Sequence, residues 1–311
     1  KTAYDIPLRL VGSEMCIRDR GLLGNMLQII YTGAKCIFMS PEAFLMKPVR
    51  WLQAIQKYQA ITSGGPNFAY DLCLRRISDT QLSKLNLDSW KIAYVGAEPV
   101  RASTMSQFEE RFAPTLLKQS TLYPCYGMAE ACLFISGNKS GSGAIIEYFD
   151  TLALNNGIAT QAHKANNTQA RPLVSCGHGW LGLEIKIVDP FTSLLMPNNR
   201  VGEIWVSGEN IAQGYWNKTD ATEHTFNATI QGNSKQRYLR TGDLGFIHKG
   251  SLYISGRLKD LIIIAGRNHH PVDIEHTVEQ CHEVIRAGGT AVFSVDMEGQ
   301  ENLIVATELE R

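Results

Sequence analysis

Two short segments of the sequence carry glycine and acidic residues where buried strands are expected to end. The first reads VGAEPV at 95–100, and the second reads YGMAE at 126–130. Ligands of open α/β sheets bind at the carboxyl ends of strands, and Gly96 would let the backbone approach a flat ligand closely. Tyr126 offers an aromatic face to a purine, and Glu130 offers hard oxygen ligands to magnesium. Taken alone, the first segment fits a strand-end turn better than a ligand site, and the second fits both equally.

Two later segments place a charged side chain beside glycines. RTGDLG at 240–245 contains Asp243, whose ionised carboxylate only accepts hydrogen bonds and could take both hydroxyls of a ribose. GRLKDLIIIAGRNHHPVDIE at 256–275 contains Arg257, whose planar guanidinium suits ribose or phosphate oxygens. The alternatives are a Gly-Asp turn between strands for Asp243 and a surface salt bridge for Arg257. Each segment is therefore ambiguous by itself.

The elements that would position the first two segments alternate between strand and helix. Apolar runs, each followed by helical periodicity, predict strands at 35–39, 60–65, 91–98 and 121–127. The first of these leads into a helix that begins after Ser40 and continues through Ile55. Such alternation predicts an α/β fold in which a doubly wound, mostly parallel sheet has helices on its faces.

The second half of the chain has a different pattern of apolar and polar residues. Short alternating strands from Leu183 onward, and a hairpin with its turn at 249–250, predict a β-rich subdomain over 171–256. A further strand, a helix that begins at Pro271 and extends over PVDIEHTVEQC at 271–281, and two more strands predict a small α+β C-terminal domain. We place the boundary before that small domain near Lys259.

Composition limits the class of protein. A chain of 311 residues that is 44% hydrophobic can fill about two domain cores, and its net charge of zero gives no general attraction for nucleic acid or an anionic membrane. The seven scattered cysteines form no C-x-x-C pair, which argues against a zinc site or a disulfide framework and favours the reducing cytoplasm. No apolar run approaches the ~20 residues of a membrane span.

The paired His269 and His270 lack acidic or cysteine partners at ligand spacing and are expected to be solvated or capping residues.

The order of the four segments resembles the adenylate-forming superfamily, which includes acyl-CoA synthetases, luciferases and adenylation domains. The likeness is carried by V-G-A-E-P, Y-G-M-A-E, R-T-G-D and G-R-x-K-D, followed by P-x-x-I-E. Within that superfamily the chain most resembles fatty acyl-AMP ligases, through GLLGNMLQ at 21–28, SGGPNFAYDLC at 63–73 and LVSCG at 173–177. This resemblance extends over about 21–311.

The resemblance implies roles for the residues of the four segments. Tyr126 would stack on adenine, and Asp243 and Arg257 would bind the ribose. Glu130 would hold the magnesium that accompanies ATP, and would therefore be catalytic. The remaining residues expected to line the nucleotide are Gly96, Ala97, Glu98, Gly127 and Met128.

The resemblance also implies an activity. An enzyme of this family uses ATP and Mg2+ to convert a fatty acid to acyl-AMP, and then passes the acyl group to the phosphopantetheine thiol of an acyl carrier protein or of a polyketide or peptide synthase carrier domain. Lys259 would be the catalytic hinge about which the small domain rotates between the two half-reactions. The residues expected to line the acyl tunnel are Gly64, Gly65, Asn67, Phe68 and Tyr70. The alternatives left open are a fatty acyl-CoA synthetase and an inactive nucleotide-binding fragment or pseudoenzyme.

The resemblance leads to three further expectations about segments. A phosphate loop before Gly21 and a lysine after Arg311 belong to the family pattern, so both ends are expected to be truncated, and the tract at 1–20 reads as foreign to the pattern. The large domain is expected at 21–258 and the small domain at 259–311. A polar insertion at 137–170 is expected to be an exposed surface loop except for its apolar IIEYF core, which should dock on a neighbouring surface. The stretch from Ile145 to Asn167 within it is expected to limit movement of the small domain.

Overall fold

The computed structural model describes residues 20–163, 170–264, 267–297 and 300–310. The atypical tract predicted at 1–20 lies outside these residues except for Arg20. Residues 164–169 of the predicted insertion also lie outside them.

The first sheet contains five strands. In spatial order they are β1 (Thr62–Gly65), β2 (Ile92–Val95), β3 (Leu122–Tyr126), β4 (Ser136–Gly137) and β7 (His178–Gly179). β1, β2 and β3 are parallel, and β4 and β7 continue the sheet in antiparallel fashion. The parallel strands confirm the predicted α/β class, and all three overlap predicted strands.

The prediction of a strand at 35–39, the first of the four predicted strands, is wrong. Residues 34–40 have no regular structure, and four of the five side chains of the apolar run are exposed, among them Phe38 at 66%. An apolar run forms a strand only where a neighbouring strand takes up its backbone hydrogen bonds. No described strand pairs with this segment.

Six α-helices lie in the first part of the chain, after a π-helical stretch at Arg20–Leu27. They are α1 (Gln28–Thr32), α2 (Pro41–Met46), α3 (Val49–Tyr58), α4 (Asn67–Arg76), α5 (Asp79–Leu82) and α6 (Ala102–Phe112). The single helix predicted through Ile55 is two helices, because Pro48 lacks an N–H group and disfavours helical geometry at Lys47.

Aromatic and aliphatic side chains from the first sheet and its helices share one core. Leu52, Trp90, Phe108 and Phe112 have no exposed surface, and the rings of Phe108 and Phe112 stack with centroids 4.3 Å apart. The Trp90 indole also donates a hydrogen bond to the carbonyl of Ser63 in β1 at 3.2 Å. Each fully buried large side chain contributes about 1.5–3 kcal/mol, so this core fixes the parallel strands and the loops at their ends.

A second sheet follows in the order β10, β11, β9, β8, with β12 also paired to β11. Its elements are β8 (Glu184–Val188), β9 (Gly202–Ser207), α8 (Thr219–Phe226), β10 (Ala228–Ile230), β11 (Asn233–His248) and β12 (Ser251–Arg257). The predicted hairpin is confirmed: Lys249 and Gly250 have φ of 49° and 79°. Positive φ at both central residues is what a type I′ turn requires.

The insertion contains regular structure, so the expectation of a surface loop is wrong for much of it. β5 (Ile146–Asp150) pairs antiparallel with β6 (Ala170–Val174), and α7 (Thr151–Asn155) follows β5. The expected docking of the apolar IIEYF core does occur. Phe149 is fully buried, with its ring 4.9 Å from that of Phe246 and 5.3 Å from that of Tyr253. The surface that receives the insertion core is therefore the β11–β12 hairpin.

The last described elements form an α+β unit. It contains β13 (Ile262–Ile264), β14 (Arg267–His269), α9 (Pro271–Cys281), β15 (Ile285–Met297) and β16 (Gln300–Leu309). α9 has the predicted bounds, and its Glu275 accepts a hydrogen bond from the backbone of Val292 in β15 at 3.1 Å. In the described part of the chain, no helix is long and apolar enough to span a membrane.

The expectation of solvated or capping histidines is wrong for His270. The residue is buried, and a Cβ added to Gly256 would lie 2.5 Å from its Nδ1 atom. Burial lowers the pKa of His270 to about 4. Its side chain forms no hydrogen bond that caps α9, so it acts as a packing residue between β12 and α9.

Candidate nucleotide site

Three of the predicted nucleotide residues meet in space. The Tyr126 hydroxyl donates a hydrogen bond to Asp243 Oδ2 at 2.6 Å, and Arg257 Nε donates one to Asp243 Oδ1 at 3.0 Å. Tyr126 ends β3 of the first sheet, whereas Asp243 and Arg257 are direct partners on β11 and β12 of the second. We call Tyr126, Asp243 and Arg257 the carboxylate cluster, and it lies where the two sheets adjoin.

A distortion of β11 presents the carboxylate of Asp243. The register between β11 and β9 shifts between Arg240 and Leu244. Within that interval the Thr241 hydroxyl donates to the carbonyl of Ile204 at 2.7 Å and accepts from the Asp243 amide at 3.1 Å. Gly242 has φ of 71°, which glycine adopts without strain. Gly242 thus allows the backbone conformation that places Asp243 in the distorted part of β11.

The charges of the carboxylate cluster support one another. Burial raises the pKa of Asp243, whereas the hydrogen bond from Tyr126 and the charge of Arg257 lower it. Burial, and then the neighbouring Asp243, raise the pKa of Tyr126 well above its usual value. Tyr126 therefore stays a protonated donor at neutral pH. Asp243 receives two donors that favour its ionised form, which is the form that can accept from ribose hydroxyls.

Glu130 lies in a separate hydrogen-bond network, in a 3-10 turn just after β3. Its Oε1 accepts a hydrogen bond from the Tyr215 hydroxyl at 2.8 Å, and its backbone carbonyl accepts one from Ala212 at the same distance. Burial, and then the bond to Glu130, raise the pKa of Tyr215 to about 12. The sequence did not predict a role for Tyr215. It lies in the short run GYW at 214–216, which contains no residue pattern that points to Glu130.

Glu130 could bind magnesium only together with the phosphate groups of ATP. Among the described residues, no group of three or more His, Cys, Asp or Glu side chains is arranged to hold a metal ion. Magnesium is usually bound by one or two carboxylates together with substrate phosphates. Tyr215 engages Oε1 of Glu130, so a magnesium ion would use the other carboxylate oxygen and the phosphate oxygens of ATP. The residues present fit that arrangement.

The segment after β2 is shaped mainly by packing. A Cβ on Gly96 would lie 2.9 Å from the carbonyl oxygen of Cys125, so glycine is needed for the close approach of β2 to β3. Ala97 has φ of 73°, a conformation that costs energy in a non-glycine residue. The Glu98 side chain accepts a hydrogen bond from the Phe68 amide at 3.1 Å, in the first turn of α4. A role of these residues in lining adenine stays a prediction.

Gly127 and Met128 form the turn that separates Tyr126 from Glu130. A Cβ on Gly127 would lie 1.7 Å from the carbonyl oxygen of Leu133, so only glycine fits there. Met128 packs against the core of the second sheet. These two residues thus set the relative positions of the two functional side chains on either side of them.

The residues predicted to line an acyl tunnel are distributed differently in the fold. Tyr70 is fully buried, its hydroxyl donates to the carbonyl of Tyr94 at 3.0 Å, and Trp51 and Phe108 contact its ring. Asn67 is buried too, and its side-chain amide donates a hydrogen bond to the carbonyl of Pro99 at 2.6 Å. Both side chains hold the structure together here, and their tunnel role stays a prediction.

Phe68 is the better candidate for contact with a ligand. It is half-buried and lines a cavity of about 310 Å³ at the start of α4. Residues of β15 line the same cavity. Gly64 pairs with Tyr94, and a Cβ there would lie 2.1 Å from that residue's carbonyl oxygen, while Gly65 packs near Ala69. The two glycines therefore permit close strand and helix packing beneath Phe68.

Lys259 lies exposed in the turn between β12 and β13. The neighbouring Leu258 amide donates to the Gly242 carbonyl at 2.9 Å, so the turn is tied to the distorted part of β11 beside Asp243. A rotation about Lys259 would therefore begin next to the carboxylate cluster. Its hinge role stays a prediction.

Comparison with known proteins gives family matches to two parts of the chain. Residues 19–216 match the AMP-binding enzyme family, and residues 259–310 match the AMP domain of the Disco-interacting protein 2-like family. The chain is 44% identical over 294 residues to the medium-chain fatty acid–acyl carrier protein ligase JamA of Moorena producens, covering 94% of this chain and 50% of that protein. It is 41% identical over 298 residues to the corresponding ligase TtuA of Teredinibacter turnerae, covering 94% of this chain and 46% of that protein.

A solved structure agrees with these matches. The fatty acyl-adenylate ligase of Legionella pneumophila, determined in complex with acyl adenylate and pyrophosphate, superimposes with a TM-score of 0.76 at 41% identity. The alignment covers 94% of this chain and 51% of that one. The chain thus spans about half the length of the relatives it matches.

Proposed function

The chain belongs to the AMP-binding enzyme family, and on that basis we propose that its protein activates a fatty acid with ATP to acyl-AMP and pyrophosphate. The single observation that carries the proposal is the carboxylate cluster of Tyr126, Asp243 and Arg257, which presents a buried, doubly hydrogen-bonded carboxylate beside an aromatic ring. The similarity to fatty acid ligases supports the fatty acid as substrate. The cysteine pattern supports a cytoplasmic location.

The chemistry of the first half-reaction follows from the polarity of the reactants. A fatty acid carboxylate oxygen attacks the α-phosphorus of ATP, a new O–P bond forms, and the bond to the β-phosphate oxygen breaks. Asp243 would fix the nucleotide through its ribose hydroxyls, and Tyr126 would fix it through adenine, so the α-phosphate is aligned for attack. Bound magnesium would stabilise the negative charge on the departing pyrophosphate.

The second half-reaction would transfer the acyl group. A thiolate attacks the acyl carbon, the thioester C–S bond forms, and AMP leaves with both electrons of the C–O bond. We propose the phosphopantetheine thiol of a carrier protein as the acceptor, supported by the carrier protein named in two relatives.

Product analysis tests this assignment in a protein of the relatives' full length that contains this chain. With ATP, Mg2+ and a medium-chain fatty acid, liquid chromatography with mass spectrometry should detect acyl-AMP, and addition of phosphopantetheinylated carrier protein should convert it to acyl-carrier thioester. Free coenzyme A should give little acyl-CoA. Efficient acyl-CoA formation would instead favour an acyl-CoA synthetase, and absence of acyl-AMP would favour a nucleotide-binding protein without this activity.

A proline substitution tests the proposed hinge. Proline fixes φ, so Lys259→Pro should leave acyl-AMP formation within about twofold of normal and slow transfer to the carrier tenfold or more, because only transfer needs the rotation. Lys259→Ala is the matched control, since it removes the same side chain but leaves φ free. Rapid-quench assays of the two half-reactions measure both rates. Equal losses in both half-reactions, or equal effects of the two variants, would argue against a hinge.

We also propose that the insertion restrains the small domain. The guanidinium of Arg171 in β6 pairs with Asp273 in the first turn of α9, with Nε and Oδ1 2.9 Å apart, and its Nη2 donates to the Ser255 carbonyl at 3.1 Å. The side chain of Arg171 is only 13% exposed. The pair therefore joins β6, the strand that pairs with β5 of the insertion, to the small domain. The contact is partly desolvated, so loss of either partner would leave the other charge unpaired in a partly buried position. A bias of ~3 kcal/mol toward one orientation leaves the other below about 1%.

Removing the contact should relax the discrimination against free coenzyme A. Deletion of the insertion would also remove the buried Phe149, so Asp273→Asn is the cleaner change. We expect normal acyl-AMP formation and at least fivefold more acyl-CoA from free coenzyme A, measured by chromatography. Lys249→Ala is the control, because it breaks an exposed pair with Glu147 of the insertion without involving α9. Unchanged acyl-CoA in Asp273→Asn would exclude this contact as the restraint.

A further inference from the structure

Glu203 is a buried carboxylate that none of the predicted nucleotide segments contains. It lies in β9 of the second sheet and is only 2% exposed. A buried charge is costly unless it is paired and fully hydrogen-bonded. The hydrogen bonds of Glu203 therefore indicate its structural role.

Three residues donate hydrogen bonds to this carboxylate. Its Oε2 accepts from Arg240 Nη2 at 2.7 Å, from Arg240 Nε at 3.0 Å and from Trp205 Nε1 at 2.9 Å. Its Oε1 accepts from the backbone amide of Gly242 at 3.1 Å. Both oxygens are thus engaged, and one of them bonds the residue directly before Asp243.

The bond to Gly242 matters because of the register shift in β11. On β9 only Ile204 separates Trp205 from Glu203, whereas on β11 the facing residues Arg240 and Leu244 are separated by 241–243. The extra residues bulge out of the ladder, and their amides need acceptors other than β9 carbonyls. Glu203 supplies the acceptor for Gly242.

We infer that Glu203 is a positioning residue for Asp243: its carboxylate fixes the bulge at 241–243 in the conformation that presents Asp243 to the ribose of a bound nucleotide. Arg240 balances the buried charge of Glu203, and its guanidinium lies over the Trp205 ring, 5.4 Å from the centroid. Loss of the Gly242 contact lets the bulge change conformation, so Asp243 loses its fixed position between Tyr126 and Arg257. This inference rests on the proposed nucleotide site.

Nucleotide binding by the chain itself tests the inference by calorimetry. Glu203→Gln keeps the size of the side chain, but its amide nitrogen cannot accept a hydrogen bond, so one oxygen must serve Gly242, Arg240 and Trp205. We expect about tenfold weaker binding of AMP and no more than a twofold change for 2′,3′-dideoxy-AMP, which lacks the hydroxyls that Asp243 would bind. Glu184→Gln is the matched control in neighbouring β8, and should affect neither ligand.

Two further variants make the test decisive. In an Asp243→Asn background, Glu203→Gln should weaken AMP binding less than twofold further, because its effect acts through Asp243. If Glu203→Gln does not fold, Glu203→Asp replaces it, since the shorter carboxylate keeps the charge but withdraws from Gly242. Equal losses for the two nucleotides, no loss, or additive losses with Asp243→Asn would overturn the inference. Failure of the unaltered chain to bind AMP would contradict the nucleotide site itself, and the inference with it.

Discussion

Replacement of Asp243 by alanine is expected to slow fatty-acid-dependent adenylate formation about a hundredfold. The variant loses the acceptor for the ribose hydroxyls and leaves the Tyr126 hydroxyl and Arg257 without their shared partner. A hundredfold loss corresponds to about 3 kcal/mol of transition-state stabilisation, which is typical for removal of one well-placed polar group. Initial rates of acyl-AMP formation at saturating fatty acid measure the effect.

The control for this variant is Asp220→Ala, because Asp220 is exposed in the first turn of α8. Its rate should stay within twofold of normal. Thermal denaturation separates a folding defect from a site defect: the Asp243 variant should unfold cooperatively near the normal temperature. A normal rate in Asp243→Ala would remove this residue from the site.

Glu130→Ala is expected to cause a loss of similar size, about a hundredfold, through a different cause. Glu130 would contribute one oxygen ligand to the magnesium of ATP, so the variant should also need more Mg2+ for half its maximal rate. Tyr215→Phe removes only the hydroxyl that donates to Oε1, and should slow the reaction less, by about tenfold or under.

Rates measured across a range of Mg2+ concentrations distinguish this role from a structural one. Glu223→Ala is the control, since Glu223 is exposed on α8, where its side chain accepts a hydrogen bond from Asn227 and pairs with Arg237. An unchanged Mg2+ requirement in Glu130→Ala, together with a normal rate, would show that Glu130 does not bind the metal.

Local sequence patterns were sufficient for the elements that depend on local chemistry. The bounds of α9 follow from Pro271 and an amphipathic run, and the turn at 249–250 follows from Gly250, which adopts positive φ without strain, between two runs with strand character. The run at 35–39 has the same local character as a strand, but no strand in the described part of the chain pairs with it. Pairing partners are a property of the whole fold, which a segment does not encode alone.

The candidate site likewise combines residues that could be predicted from the sequence with contacts that could not. Family resemblance predicted a site that contains Tyr126 and Asp243, but nothing in the sequence reveals the hydrogen bond between these side chains, which are 117 residues apart. Tyr215 and Glu203 were missed because their roles come from contacts made across sheets and loops. The contacts of Asn67 were likewise not evident from its segment: its side chain is buried, donates to the Pro99 carbonyl and accepts from the Arg101 amide.

The most direct test of the central claim is ATP–pyrophosphate exchange in a protein of the relatives' full length that contains this chain. Labelled pyrophosphate is expected to enter ATP only when a fatty acid and Mg2+ are present, and Asp243→Ala is expected to lower the exchange rate about a hundredfold. Exchange that is absent with every fatty acid tested, or that proceeds equally well without Asp243, would contradict it.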